Sequence, residues 1–152
     1  MANSSNNKAS QLHPLLSKGE SARLIPTTAD SNKEARATSI LLSTLMTVRP
    51  FAKEVLSAAG QRIGQMTKID CYTEVGLAKE KDTALRPDGF MALKNSRSKE
   101  WTCIFEAKID NAELRADQIE SYLKIARNNN LDALITLSNQ PVAHPTHAPV
   151  KV

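Results

Sequence analysis

The spacing of hydrophobic residues indicates two consecutive helices in the first half of the chain. A helical period begins near Asn32 and resumes after Pro50 as far as Gly60. Ser31 and Glu34 have the spacing of a capping box, which predicts a helix start. Pro50 lacks the amide that a continuous helix needs, so we expect a kink or a second helix there, and Gly60 is a favourable C-terminal cap. The first apolar positions are Ile40, Leu41, Leu45 and Val48.

The hydrophobic period then changes from helical to alternating, which indicates β-strands. We predict strands over residues 68–75, 86–93 and 101–108, joined by short polar connections that favour an antiparallel meander. The same alternation places Glu106 and Lys108 on one face of the third strand. One face of the first strand carries Ile69, Cys71, Thr73 and Val75, and its other face carries Lys68, Asp70, Tyr72 and Glu74.

A second helical region and a last strand complete the pattern. Asp110 and Glu113 again have capping-box spacing, and we predict a helix over residues 111–128. Residues 133–137 are a compact apolar strand. The order helix, three strands, helix, strand predicts an α/β fold with a mixed central sheet flanked by helices, in which the last strand returns beside the third through a helical crossover.

The chain of 152 residues is long enough for one domain with a buried core. Residues 1–30 are rich in Asn, Ser and Ala and lack a sustained period, so we predict a flexible N-terminal arm there. The domain itself is predicted over residues 31–138. Residues 139–152 are predicted as a C-terminal tail, and we interpret His144 and His147 as solvated tail residues.

The composition of the chain indicates which partners and which cellular compartment to expect. The formal charge of +4 and the pI near 9.2 suit a polyanionic partner such as nucleic acid. Cys71 and Cys103 lack the close spacing of a zinc pair and are predicted to be buried thiols. The chain shows no charged region followed by an apolar secretory segment, and no apolar run approaches the ~20 residues of a membrane helix. We therefore expect a cytoplasmic protein without membrane contact.

Two acids and a lysine stand where two neighbouring strands are predicted to meet. Asp88 lies in Pro87-Asp88-Gly89 at the start of the second strand, and Glu106 and Lys108 end the third. Carboxylates from separate strands make a site for a hard cation such as Mg²⁺, which prefers oxygen ligands. Lys108 beside such a metal would contact a phosphate or the attacking water. Simpler interpretations are a turn at Pro-Asp-Gly and a salt-bridged strand end at Glu106 and Lys108.

Gln118 and Tyr122 add polar groups to the inward face of the second helical region. They are four residues apart and hence adjacent on that face. An unsatisfied buried amide costs about 1–3 kcal/mol, so we favour a role at a polar cleft, steadying Lys108, a metal-bound water or a nucleic-acid phosphate. Arg115 lies in the same arc near the helix start, where it would reach either phosphate or solvent.

In these motifs the chain resembles the PD-(D/E)XK nuclease superfamily, and specifically its RecB-like members with a downstream Gln-x-x-x-Tyr motif. The matching residues are Pro87-Asp88, then Glu106-Ala107-Lys108, then Gln118 with Tyr122. The predicted order of elements over about residues 32–138 also matches the αβββαβ core of that family, the restriction-endonuclease-like fold.

The resemblance implies that Asp88 and Glu106 bind one or two Mg²⁺ or Mn²⁺ ions, while Lys108 orients or activates water or stabilises charge on the phosphate. Many members add an acid from the first helix. Glu54 is the matching candidate, with a solvated helix charge as the alternative, and Glu74 is a weaker candidate ligand. Members usually continue with more sheet or helix after the fourth strand, so a homodimer is one way in which this domain would be completed.

These residues predict a metal-dependent nuclease that hydrolyses phosphodiester bonds, with DNA as the expected substrate. The alternative is a non-catalytic nucleic-acid-binding or assembly module with the same architecture. Fold alone does not choose the substrate or the pathway. The predicted catalytic residues are Asp88, Glu106, Lys108, Gln118 and Tyr122, and the predicted contacts with nucleic acid are Arg115, Gln118 and Tyr122.

Overall fold

The computed structural model describes residues 12–29, 31–80, 85–95, 99–110, 112–144 and 147–151. Within these residues the chain forms five strands and three helices, so the predicted α/β class is confirmed. Their order is β1 (Leu16–Ser21), α1 (Lys33–Thr47), α2 (Arg49–Ala58), β2 (Lys68–Leu77), β3 (Gly89–Lys94), β4 (Trp101–Lys108), α3 (Ala116–Asn128) and β5 (Ala133–Ser138).

The strands form one sheet in the order β1-β2-β3-β4-β5. β2, β3 and β4 are antiparallel neighbours, as the short connections predicted. β5 lies parallel to β4, because α3 carries the chain back to the same end of the sheet. The predicted meander and the predicted helical crossover are both confirmed.

The first helical region is divided into α1 and α2, as the position of Pro50 predicted. α1 is capped by Asn32, one residue after Ser31, and the Asn32 side-chain oxygen accepts from the Ala35 N–H at 3.2 Å. α2 has Pro50 in its first turn, where a missing amide breaks no hydrogen bond. Gly60 follows α2 with a φ of 74°, a left-handed conformation that favours glycine. Within the described ranges, no helix is both long and apolar enough to span a membrane.

The core lies on both faces of the sheet. α1 and α2 cover one face, where Leu42, Leu45 and Leu56 are fully buried. α3 covers part of the other face with Tyr122 and Ala126. Both cysteines of the chain are buried free thiols on the first face, as predicted.

The predicted flexible arm is wrong for residues 16–21, which form β1 at the edge of the sheet. β1 pairs antiparallel with β2. Of its six side chains only Leu16 is buried, so the hydrophobic pattern was too weak to indicate a strand. Residues 1–11 of the predicted arm lie outside the described residues.

A bulge in β2 places Val75 on the face opposite to the one predicted. The register between β1 and β2 shifts around Glu74, whose φ of 53° is left-handed. Ile69 and Cys71 pack on the face covered by α1 and α2, whereas Tyr72 and Val75 are buried on the α3 face. Tyr72 lies on the face that alternation predicts, but that face is buried in the core on the α3 side and is not polar there. Strict alternation could not indicate the change at Val75, because a bulge inserts one unpaired residue and reverses the order of the faces that follow it.

α3 begins at Ala116, later than the predicted residue 111, and Asp110 does not cap it. Asp110 instead has a φ of 57° and pairs with Lys33 at 2.6 Å. The backbone N–H of Leu114 donates to the side-chain oxygen of Gln140 at 2.8 Å. The segment between β4 and α3 is therefore held by contacts with distant residues, which override the local capping signal.

Candidate active site

Asp88 lies immediately before β3, beside the end of β4. The last pair in the register of these strands joins Gly89 to Phe105, and Asp88 and Glu106 are the next residues outward from that pair. Residues directly opposite in an antiparallel pair have Cβ atoms about 4.5–5.5 Å apart. The backbone N–H of Ala107 donates to Asp88 Oδ2 at 2.8 Å, which fixes this carboxylate against β4. The structure therefore brings the two predicted acids together.

The close approach of α1 explains the glycine after Asp88. A Cβ atom on Gly89 would lie 2.6 Å from Leu42 Cδ1 and 3.1 Å from Thr38 Cγ2. α1 packs directly on the backbone that carries Asp88, so Gly89 is needed for space and not for a turn.

Glu106 is almost completely buried, with 2% of its surface exposed. Its Oε1 accepts from Gln118 Nε2 at 2.6 Å and lies 2.8 Å from Lys108 Nζ. Its Oε2 is also buried, and no described residue forms a hydrogen bond with it. Leaving a buried acceptor unsatisfied costs about 1–3 kcal/mol, and more for a charged group. Within the described part of the chain, this oxygen is therefore open to water or to a cation.

The Lys108 ammonium group bridges two carboxylates. It lies 2.8 Å from Glu106 Oε1 and 3.2 Å from Glu34 Oε2, and it donates to the Ala107 carbonyl at 3.1 Å. Burial lowers the pKa of Lys108, but the two carboxylates outweigh burial and raise the pKa above its ordinary value. Lys108 is therefore a charged hydrogen-bond donor in this arrangement.

Burial raises the pKa of Asp88 to about 6. The Ala107 N–H opposes this increase because it bonds to the charged form. The negative charge of Glu106 raises the Asp88 pKa further, whereas the positive charge of Lys108 lowers it. Without a bound cation, Asp88 thus takes up a proton in mild acid.

Gln118 and Tyr122 reach the site from one face of α3, as predicted. Gln118 orients the Glu106 carboxylate through its hydrogen bond to Oε1. The Tyr122 hydroxyl donates to the carbonyl of Arg86 at 2.9 Å, which ties α3 to the segment before Asp88. Burial, followed by the charge of the nearby Glu106 carboxylate and its side-chain interaction with Tyr122, raises the pKa of Tyr122 well above its usual range. Tyr122 therefore stays protonated and acts as a donor.

Glu34 also belongs to the site, although its spacing had suggested only a capping box. It lies in the first turn of α1, and its carboxylate contacts Lys108. The observed cap is Asn32, so the Glu34 side chain is not used for capping. The helical spacing could have identified Glu34, because it lies on the same face of α1 as the buried Thr38 and Leu42. We refer to Glu34, Asp88, Glu106 and Lys108 as the charged cluster.

The structure does not bring Glu54 or Glu74 to the charged cluster. Glu54 is exposed on α2, and no contact among the described residues links its side chain with the cluster. Glu74 is exposed at the bulge of β2. The helix acid that reaches the charged cluster is therefore Glu34, through Lys108, and not Glu54, because α1 packs on the start of β3.

Arg115 lies outside the charged cluster as well. It precedes α3 with an extended backbone, and its exposed guanidinium group pairs with Asp117 at 2.9 and 3.1 Å. Because Arg115 is not part of the helix, the helical spacing that placed it in the inward arc does not apply to it. Its contact with nucleic acid stays a prediction.

The oxygen atoms of the site fit a divalent cation that keeps most of its water. Among the residues that the structure describes, no group of three or more His, Cys, Asp or Glu side chains is arranged to hold a metal ion. Mg²⁺ does not require such a group, since one or two carboxylates with water and substrate phosphate commonly hold it. Asp88 and Glu106 supply two carboxylates, and Glu106 Oε2 is the unsatisfied atom that a cation would satisfy.

No protein-family model, curated protein or solved structure matches this chain. Membership of the PD-(D/E)XK superfamily therefore stays a prediction from the motif residues. The geometry of the charged cluster is the main basis for a functional proposal.

Proposed function

We propose that the protein is a metal-dependent nuclease with a restriction-endonuclease-like core, which hydrolyses phosphodiester bonds in DNA. The observation that carries this proposal is the buried Glu106, whose Oε2 forms no hydrogen bond with any residue that the structure describes, while Asp88 and Lys108 lie beside it. A buried carboxylate with a purely structural role is normally satisfied by protein groups or water. The antiparallel meander and the parallel return of β5 also support this core.

The contacts of each residue suggest its role. Asp88 and Glu106 would hold Mg²⁺ or Mn²⁺, and the bound ion would lower the pKa of the attacking water and stabilise the leaving oxygen. Lys108 lies beside Glu106, where it would donate to a phosphate oxygen and stabilise developing charge, or orient the attacking water. Gln118 fixes the orientation of Glu106, and Tyr122 fixes the backbone before Asp88.

Cleavage of DNA by the purified protein tests this proposal. Wild-type protein should cut DNA with Mg²⁺ or Mn²⁺, and EDTA should stop the reaction.

Lys108→Ala should lower kcat by about 10²–10³-fold, the usual cost of removing one donor that stabilises developing charge. Lys124→Ala, which changes an exposed lysine on α3, is the matched control. Undiminished cutting by a folded Lys108→Ala protein would contradict the assignment.

A non-catalytic nucleic-acid-binding module is the second candidate. It is favoured by the ion pairs of Lys108 with Glu34 and Glu106, which neutralise charge in the cluster without a metal. Binding of labelled DNA in EDTA, followed by addition of Mg²⁺, separates the two candidates. Such a module would bind with an affinity that falls steeply with salt, and it would leave the DNA uncut.

A further inference from the structure

Lys108 stands where it competes with a divalent cation for one carboxylate. Its ammonium group lies 2.8 Å from Glu106 Oε1, and its side chain is only 16% exposed. A Mg²⁺ ion about 2.1 Å from Glu106 Oε2 would lie within a few ångströms of that ammonium group. Two positive charges this close repel each other strongly in a buried site. Cation binding at Glu106 would therefore weaken the contact between Glu106 and Lys108.

Glu34 offers Lys108 a second contact that does not depend on Glu106. Its Oε2 lies 3.2 Å from Lys108 Nζ, and its side chain is more exposed than that of Glu106, at 30% against 2%. The lysine stands between the two glutamates, so a cation at Glu106 leaves the contact with Glu34 intact.

We propose that Glu34 is a positioning residue that holds Lys108 after a divalent cation takes over the Glu106 carboxylate. This inference rests on the proposed function, because it requires the cation site at Asp88 and Glu106. In the metal-free protein both glutamates share Lys108 as an internal counter-ion. With a cation bound, the ammonium group moves onto Glu34 and stays within reach of a phosphate oxygen. Glu34 thus acts through Lys108 and is not a metal ligand.

Titration of the metal-free protein with Mn²⁺ in an isothermal titration calorimeter tests the competition between Lys108 and the cation without any catalysis. Lys108→Met should tighten Mn²⁺ binding by about tenfold or more, which corresponds to ~1.4 kcal/mol. Lys33→Met is the matched control, because Lys33 is an exposed lysine next to Glu34 that pairs with Asp110. It should change the affinity by less than about twofold, as expected for a screened surface charge.

A double-mutant cycle then tests the role of Glu34. Glu34→Gln should weaken Mn²⁺ binding severalfold in the wild-type background, because Lys108 would then pair with Glu106 alone. In the Lys108→Met background the same substitution should weaken binding much less, since no lysine is left to hold and only the loss of the Glu34 charge remains. A direct ligand would weaken binding at least as much in the Lys108→Met background, so the coupling separates the two roles.

Circular dichroism establishes that each variant is folded. If Lys108→Met does not fold, Lys108→Gln gives the same comparison, because its amide can still donate to Glu106 without a charge. Equal weakening by Glu34→Gln in both backgrounds would overturn the inference, and so would unchanged Mn²⁺ affinity after removal of the Lys108 charge. In either case DNA cleavage by the wild type would leave the proposed function standing. Absence of Mn²⁺ binding in the wild type and in every variant would overturn both.

Discussion

The two oxygens of the buried Glu106 carboxylate differ in their hydrogen bonding. Lys108 and Gln118 satisfy one of its oxygens, and the other has no hydrogen bond from the described residues. Burying such an atom is costly. This oxygen lies beside Asp88 at the end of β4, which is where the proposed cation would bind.

Asp88 should make the metal-free protein less stable as the pH rises. Its pKa is about 6 in the folded protein against an ordinary value of 3.8. Between these values the folded state binds more protons than the unfolded state, so the free energy of unfolding falls as pH increases and levels off above the folded pKa. Urea unfolding from about pH 4 to about pH 7, compared between wild type and Asp88→Asn, measures this contribution.

The difference in stability between the two proteins isolates Asp88 from the other carboxyl groups. The wild type should lose stability relative to Asp88→Asn across this range. A difference that is constant with pH, or one that grows in favour of the wild type, would contradict the raised pKa of Asp88.

At the scale of residues, the sequence indicated most of the site because those residues follow regular periods. Glu106 and Lys108 share a strand face, and Gln118 and Tyr122 share a helix face, so spacing alone was informative. Glu34 was assigned to a cap because a local pattern explained it. Its contact with Lys108 joins residues far apart in the sequence, which no local pattern shows.

At the scale of elements, the packing of α1 on β3 sets the position of the charged cluster. α1 carries Glu34, and its residue Leu42 approaches the backbone of Gly89 too closely for any side chain. Because Asp88 precedes Gly89, the same contact sets the distance between the helix and the acids of the sheet. The helix and the strand therefore act together as one support for the site.

Gly89→Ala should destabilise the protein by about 1–3 kcal/mol, the usual cost of overpacking a core. The new Cβ would lie 2.6 Å from Leu42 Cδ1, so α1 or β3 must shift. Gly64→Ala is the matched control, since its Cβ would meet Thr67 Oγ1 at 3.8 Å, an ordinary contact. Urea unfolding should show a lower midpoint for Gly89→Ala only. Equal midpoints for the two variants would refute the close packing.

The elements that the sequence did not indicate have a common physical cause. β1 buries only Leu16 and is stabilised by pairing with β2, so its own residues carry little hydrophobic signal. The bulge at Glu74 depends on that same pairing, and it moves Val75 to the opposite face. Both features arise between strands and not within one, which local periodicity does not describe.

At the scale of the whole molecule, the order of elements was predictable because each connection allows few arrangements. Short links gave the antiparallel strands β2, β3 and β4, and the long link through α3 gave the parallel strand β5. The edge strand β1 extends this core on the far side from β5. Binding to DNA and formation of a homodimer stay predictions, and the charge of +4 supports only the first of them.

The central claim is that Asp88 and Glu106 together hold one divalent cation. Anomalous diffraction from crystals soaked in Mn²⁺ tests it most directly, because the signal locates the ion itself. We predict a peak about 2.1 Å from Glu106 Oε2 and from one oxygen of Asp88, and its loss in Glu106→Gln crystals. A wild-type crystal without a peak between these two carboxylates would contradict the account.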